Sequence, residues 1–337
     1  MSNKLSFLSL LCLVAAVLSQ RTTHHYVTLT SKKTKTISSC CDIENIKTYD
    51  FPNILKERVP DTPTHATVKE YILSRLHQLN QSRWSITTDV FTDQTPFGPK
   101  SFTNIIATLD PHVPKRLVLA AHYDSKYFKT GVFLGATDSA LPVALILDIL
   151  LTLDDKLQSR ELQDHSLQVI LFDGEEAFKT WTDTDSLYGS RHLAELMNSP
   201  SPYDVEGRTG IEAMEAFILL DLLGSVDPHA LFYDTYPAGS KIFERLRKIE
   251  KKLHQEKQLV EHTRQHFVEQ AAHGYYKIQD DHIPFLNKGV PIVHVIPVPF
   301  PSQWHKLSDN ANAINWNNVL NLKKIFTLFL YEYFHLR

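Results

Sequence analysis

Cysteine is scarce in this chain: three residues among 337, at positions 12, 40 and 41. Cys12 falls in an apolar N-terminal stretch. Cys40 and Cys41 are neighbours, closer than disulfide geometry favours. The fold therefore stands without internal disulfides, and no cysteine of the central chain can serve as a nucleophile. A dominant charge is also lacking: a formal net charge of -3 gives no basic field to neutralise phosphates, which excludes nucleic acid as a partner. No G-x-S-x-G elbow, G-x-x-x-x-G-K-[ST] loop, G-x-G-x-x-G turn or H-E-x-x-H helix occurs. The nearest decoy, His262-Thr263-Arg264-Gln265-His266, has no internal glutamate and reads as a solvated segment whose histidines share one helical face. Linkers and repeats are absent too, so the 43% of residues that are hydrophobic serve one large core.

Residues 1–19 have the form of a secretory signal: Lys4, an apolar run from Leu5 to Leu18, then Ser19 with Val17 two positions before it. The run is shorter than the roughly 20 residues that span a bilayer, so no stable membrane span is expected. Secretion follows, with retention in the secretory pathway as the alternative. Asn80-Gln81-Ser82 is then a usable glycosylation sequon. Residues 20–60 are polar and aperiodic, a leader that packs loosely, and residues 61–337 form the domain that carries the chemistry.

Within that domain, Val68, Tyr71, Ile72, Leu76 and Leu79 recur at helical spacing, with Thr67 and Glu70 as a capping box. Trp84 to Phe91 alternates as a strand and ends at the turn Thr95 to Pro99. Asn104 to Leu109, Arg116 to Ala121, Leu167 to Phe172, Ala216 to Asp221 and Pro291 to Ile296 read as buried strands. Leu141 to Leu153, apolar on nearly every face, reads as a buried helix entered through a turn rich in N-cap residues. Helices are also predicted around Arg191 to Met197, over Ile242 to Leu253 and over Asn317 to Phe334. This alternation specifies an α/β fold: a single domain with a mixed, mostly parallel central sheet flanked by helices.

The strands end alike. His122 and Asp124, Glu175 and Glu176, and Asp221 close three of them, His305 follows the last, and Asp138 sits on the turn before the buried helix. Ligands bind beyond the carboxyl ends of strands in open α/β sheets, and histidines with carboxylates are zinc donors. For each residue alone, a surface or capping acid is the competing reading; their shared position is what favours a site. Asp280 and Asp281 lie beside a helix start, where the dipole favours acids, a reading that suits Asp281 better. Trp181, His294, Phe300 and Trp304 offer rings for a small apolar pocket.

His122 to Lys126, Gly135 to Ala140, Phe172 to Phe178, Asp185 to Arg191, Gln279 to Phe285 and Phe300 to His305 together resemble the animal glutaminyl-peptide cyclotransferases, in order from about Pro63 to the C-terminus. The resemblance implies the zinc aminopeptidase-like fold and one zinc ion per chain, held by Asp138, Glu176 and His305 with a fourth position open. Glu175 becomes the general acid and base, sharing a hydrogen-bond network with Asp221 and Asp280. Trp181, Gln279, His294, Phe300 and Trp304 bind the N-terminal glutamine of a peptide. Zinc then polarises the side-chain carbonyl, the α-amine attacks it, and ammonia leaves pyroglutamate behind. Implied partners are peptides or proteins with N-terminal glutamine, and possibly glutamate, acted on by a monomer. One feature departs from the family: Ala121 and Val143 stand where many animal members have a disulfide, a loss of about 2 to 4 kcal/mol in stability. A two-zinc aminopeptidase, with His122 and Asp221 completing a second site, is the alternative; a non-catalytic peptide-binding protein is a third reading.

Overall fold

The computed structural model describes residues 24–201, 204–227, 230–269 and 278–337, so the signal read over residues 1–19 lies outside the described residues. Trp84–Thr95 (β1) and Gly98–Leu109 (β2) form an antiparallel hairpin. Lys115–His122 (β3), His165–Phe172 (β4), Met214–Leu220 (β5) and Ile292–Val295 (β6) complete a six-stranded sheet in the order β1, β2, β4, β3, β5, β6. β2 pairs antiparallel with β4, whereas β4, β3, β5 and β6 run parallel. Parallel neighbours bring their carboxyl ends to one edge. The register sets His122 beside Phe172 and Leu219 beside His294.

The principal helices are Ser31–Cys40 (α1), Pro63–Leu76 (α2), Leu141–Gln158 (α3), Tyr188–Asn198 (α4), Ser240–Gln255 (α5) and Trp316–Tyr333 (α6). Both sheet faces are apolar, as parallel strands covered on two sides require. Leu117, Leu119 and Ala121 pack in the core shared with α2, α3, α5 and α6, and Val118, Ala120 and Phe217 pack with α4 and Phe285. The first three turns of helix α3 are apolar on nearly every face because β3, α2 and α6 enclose the helix. By length and composition Ala136–Gln158 passes for a membrane span, yet 89% of its apolar window is buried in the protein. Leu145→Ala there costs about 3 kcal/mol by lost transfer energy and cavity formation.

Several expectations are corrected. The cap of α2 is Thr62, whose side chain accepts from His65 N, with Pro63 in the first turn; the Thr67 hydroxyl instead donates to Pro63 O. Residues 24–60 are fastened, not loose: Val27 N and Leu29 N donate to Glu332, and Leu29, Ile37, Ile46, Phe51 and Ile54 join the main core. Their contacts are too scattered to give a period, and α1 buries Thr34 and Ser38 beside Ile37. The His262 to His266 segment is not helical and is only partly solvated: Thr263 and Arg264 are exposed, whereas the His262 side chain is buried. His262 Nε2 meets the buried Glu250 at 2.8 Å. Ala121 and Val143 are fully buried, and Cys40 and Cys41 are free thiols.

Candidate active site

The turn after β4 is built around Asp173 and Asp124. Asp173 accepts from Thr103 N at 2.7 Å, from the Tyr123 hydroxyl at 3.2 Å and pairs with His65 at 2.9 Å, which fixes the strand end. Gly174 follows with φ of +71°, in the left-handed region, and a Cβ there would stand 2.5 Å from the Phe102 ring. Asp124 then accepts from Glu175 N at 3.1 Å and Glu176 N at 3.2 Å. It cradles the backbone and thereby aims the two glutamates at different partners.

Glu176 Oε1 meets His305 Nε2 at 3.1 Å, and its Oε2 accepts from Lys126 Nζ at 3.1 Å. Asp138 Oδ2 lies 3.5 Å from the same His305 nitrogen. His305 holds this position with φ of +52°, in the left-handed region that non-glycine residues enter uncommonly. Asp138 comes from the turn before α3, whose own cap, Ala140, makes no side-chain bond. The side chains expected to cap that helix turn elsewhere: the Thr137 hydroxyl donates to Asp309 at 3.0 Å and the Ser139 hydroxyl to Asp221 at 2.5 Å. Buried Arg58 donates to the carbonyls of Tyr123, Leu134, Gly135 and Asp138, tying this turn to the end of β3. Sequence reasoning missed Arg58, because its partners are backbone carbonyls that no pattern of side chains announces.

Donor atoms from Asp138, Glu176 and His305 lie within 4.8 Å of one another, as do those of His122, Asp138 and Asp221, and of Asp280, His282 and His294. The first group suits a divalent cation on independent grounds. Asp138 Oδ2 is buried without a hydrogen-bond partner, which is costly unless something charged completes it. Burial and the charge of Glu176 push Asp138 up to about 7. Burial acts on Glu176 the same way, but the His305 hydrogen bond and the Lys126 charge outweigh it and hold Glu176 down at about 2.

Glu175 differs from its neighbour. It is buried, and burial first, then the charges of Glu176, Asp280 and Asp281, hold its carboxyl well above the usual range against the pull of His122. The expected hydrogen bonds from Glu175 to Asp221 and Asp280 are not formed among the described residues. Asp221 accepts from Ser139 and from Leu222 N instead, and Asp280 Oδ2 pairs with His294 Nε2 at 2.7 Å. Coupling to Asp280 is therefore through charge. Asp281 is no surface cap. It is fully buried beside a one-turn helix, Ile283–Leu286, and neither carboxyl oxygen has a hydrogen-bond partner.

The aromatic positions fall into separate groups. Trp181 Nε1 donates to Gln279 Oε1 at 2.6 Å. Phe300 packs edge-on to Trp304 at 4.9 Å, and Trp304 stacks on His305 at 4.1 Å. His294 stands with Asp280 and lies 4.3 Å from the His282 ring, whose Nε2 meets the Tyr236 hydroxyl at 2.5 Å.

Residues 104–330 match peptidase family M28. The chain is 44% identical over 284 residues to a glutaminyl-peptide cyclotransferase-like protein of Bos taurus, covering 83% of this chain and 73% of that protein. To the glutaminyl-peptide cyclotransferase of Bos taurus it is 40% identical over 324 residues, covering 93% and 88%. The crystal structure of Macrostomum lignano glutaminyl cyclase superposes with a TM-score of 0.82 at 34% identity, covering 94% of this chain and 96% of that one.

Proposed function

The chain belongs to the glutaminyl-peptide cyclotransferases of peptidase family M28, and from that premise we propose that it closes the N-terminal glutamine of peptides into pyroglutamate with release of ammonia. The observation that carries this reading is the division of labour between adjacent buried glutamates: Glu176 meets His305 and Lys126 and is held low, whereas Glu175 faces other acids and is held high. Asp138, Glu176 and His305 would hold one zinc ion. Bound there, zinc supplies Lewis-acid polarisation of the substrate's side-chain carbonyl.

Glu175 accepts a proton from the α-amine as its nitrogen bonds to that carbonyl carbon. It returns the proton to the departing nitrogen as the original amide bond breaks, so no water is consumed. A carboxyl raised by burial and neighbouring acids is suited to both transfers near neutral pH. Asp280, anchored by His294, and Asp221, anchored by Ser139, fix the charges that Glu175 faces. Trp181, Gln279, His294, Phe300 and Trp304 orient the glutamine. Secretion through the N-terminal signal and glycosylation at Asn80 belong to the same reading.

Incubation of the zinc-loaded protein with a peptide bearing N-terminal glutamine should give loss of ammonia by mass spectrometry; release of the first amino acid instead would overturn the cyclase. One observation favours that second outcome, a two-zinc aminopeptidase: the buried His122 Nε2 stands 3.1 Å from Asp138 and 3.4 Å from Asp221, a second group of donors close enough to hold a cation. Metal stoichiometry separates the two.

A further inference from the structure

Five of the ten large apolar side chains exposed among the described residues stand on three loops beside the candidate site: Phe97, Tyr127, Val132, Trp304 and Leu307. Scattered exposed apolar residues are ordinary, but a contiguous set marks a surface that is covered in use. Contiguity here is direct. The Phe97 and Tyr127 rings meet edge to face at 5.1 Å. The turn at Gly131 lies so close to Leu307 that an added Cβ would stand 2.5 Å from it. Beneath this rim Phe133 contacts the His305 ring edge-on at 6.2 Å, and Trp304 stacks on that same ring.

Charge is equally uneven. The chain carries -3 overall, yet Lys129, Lys179 and Lys306 edge this rim, and none forms an ion pair among the described residues. Lys179 Nζ lies 5.0 Å over the Phe97 ring, and Lys306 Nζ donates to the Ser302 carbonyl at 2.7 Å. One exposed acid, Asp183, lies further along the Lys179 loop.

We propose that this lysine-edged apolar rim holds the peptide beyond its first residue and selects substrates in which N-terminal glutamine is followed by apolar and then acidic residues. The proposal rests on the cyclase reading above. Its occupant follows from continuity, because Trp304 and His305 belong to both the site and the rim, so a chain leaving the site crosses these side chains. The acidic preference follows from charge complementarity. Exposed ion pairs are individually weak, so three lysines together are expected to change affinity about tenfold.

The test compares two peptides of equal length, Gln-Phe-Leu-Glu-Glu and Gln-Phe-Leu-Lys-Lys. KM and kcat are measured on the zinc-loaded protein, and Kd by titration calorimetry on the Glu175→Gln protein. The acidic peptide should show KM and Kd about tenfold lower with similar kcat. High ionic strength, and separately the double change Lys129→Glu with Lys179→Glu, should bring the ratio towards one. Equal Kd for the two peptides overturns the rim as a substrate site, and sedimentation with phosphatidylserine vesicles in that case assigns it to a membrane surface. A ratio that survives both salt and charge reversal overturns the role of the lysines. Discrimination in Kd without ammonia release keeps the rim and overturns the cyclase reading.

Discussion

Two buried clusters of acids and histidines in this chain use their polar atoms differently. Around Glu250, everything is answered: its carboxylate takes His262 Nε2 at 2.8 Å, His266 N at 2.7 Å and Phe267 N at 2.9 Å. Around Asp138, atoms are left over: Asp138 Oδ2 and both oxygens of Asp281 are buried without hydrogen-bond partners, although His122 stands 3.1 Å from the other Asp138 oxygen. A buried charge with its hydrogen bonds complete is structural, because its desolvation is compensated inside the protein. A buried charge with orphaned atoms awaits a metal, a proton or a substrate. Composition does not tell the two clusters apart; satisfaction of hydrogen bonds does.

The largest expected effect falls on the unsatisfied cluster. Glu175→Gln should lower kcat about 1000-fold while zinc stays bound, measured by ammonia release and by metal content. Undiminished turnover would remove Glu175 from the proton path. Glu250→Ala tests the satisfied cluster and should act on stability alone, by about 3 kcal/mol in denaturant titration, since two backbone donors and His262 lose their acceptor. A change in kcat per folded molecule would blur the contrast. His305→Ala should lower zinc affinity by about 100-fold in chelator competition and leave the melting temperature of the metal-free protein nearly unchanged. A large loss of metal-free stability would make His305 structural.

The smallest effect belongs to a third group at the seam of the two chain ends. His24 stacks on Tyr333 at 3.8 Å and donates to its carbonyl at 3.1 Å. Burial, then the neighbouring His165, lower His24 to about 4. Its folded-state value lies below the unfolded one, so the neutral ring is favoured by folding. The stability it contributes is complete above about pH 6.5 and is lost as pH falls from there towards 4. The ring is only half-buried, so after solvent screening the loss is below about 1 kcal/mol. The melting temperature should fall slightly between about pH 7 and about pH 5, and His24→Gln should reduce that fall.

Much of the fold was legible because its strands are short apolar runs and its helices carry strong periods. Leu167 to Phe172 and Leu141 to Leu153 were bounded by their own composition, and the structure extends them only to His165–Phe172 and Leu141–Gln158. Residues 24–60 were not legible, since α1 buries two hydroxyl side chains beside one isoleucine. Candidate ligands were legible as polar residues that interrupt apolar strands. The burial of Asp281 is not legible, since an acid before a short helix has the same sequence signature whether it caps the helix or lies buried.

Sequence alone determined the α/β alternation, the scarcity of cysteine and the family to which the chain belongs, because these depend on residue types and their order. The tertiary structure decided which acid does what. Glu175 and Glu176 are adjacent and chemically alike, and only the contacts made across the sheet edge, with His305 and Lys126 on one and buried acids around the other, separate an ionised carboxylate from a raised one. Those contacts come from loops far apart in the chain, and the electrostatic environment of a buried group is set by everything packed around it, which local sequence does not contain.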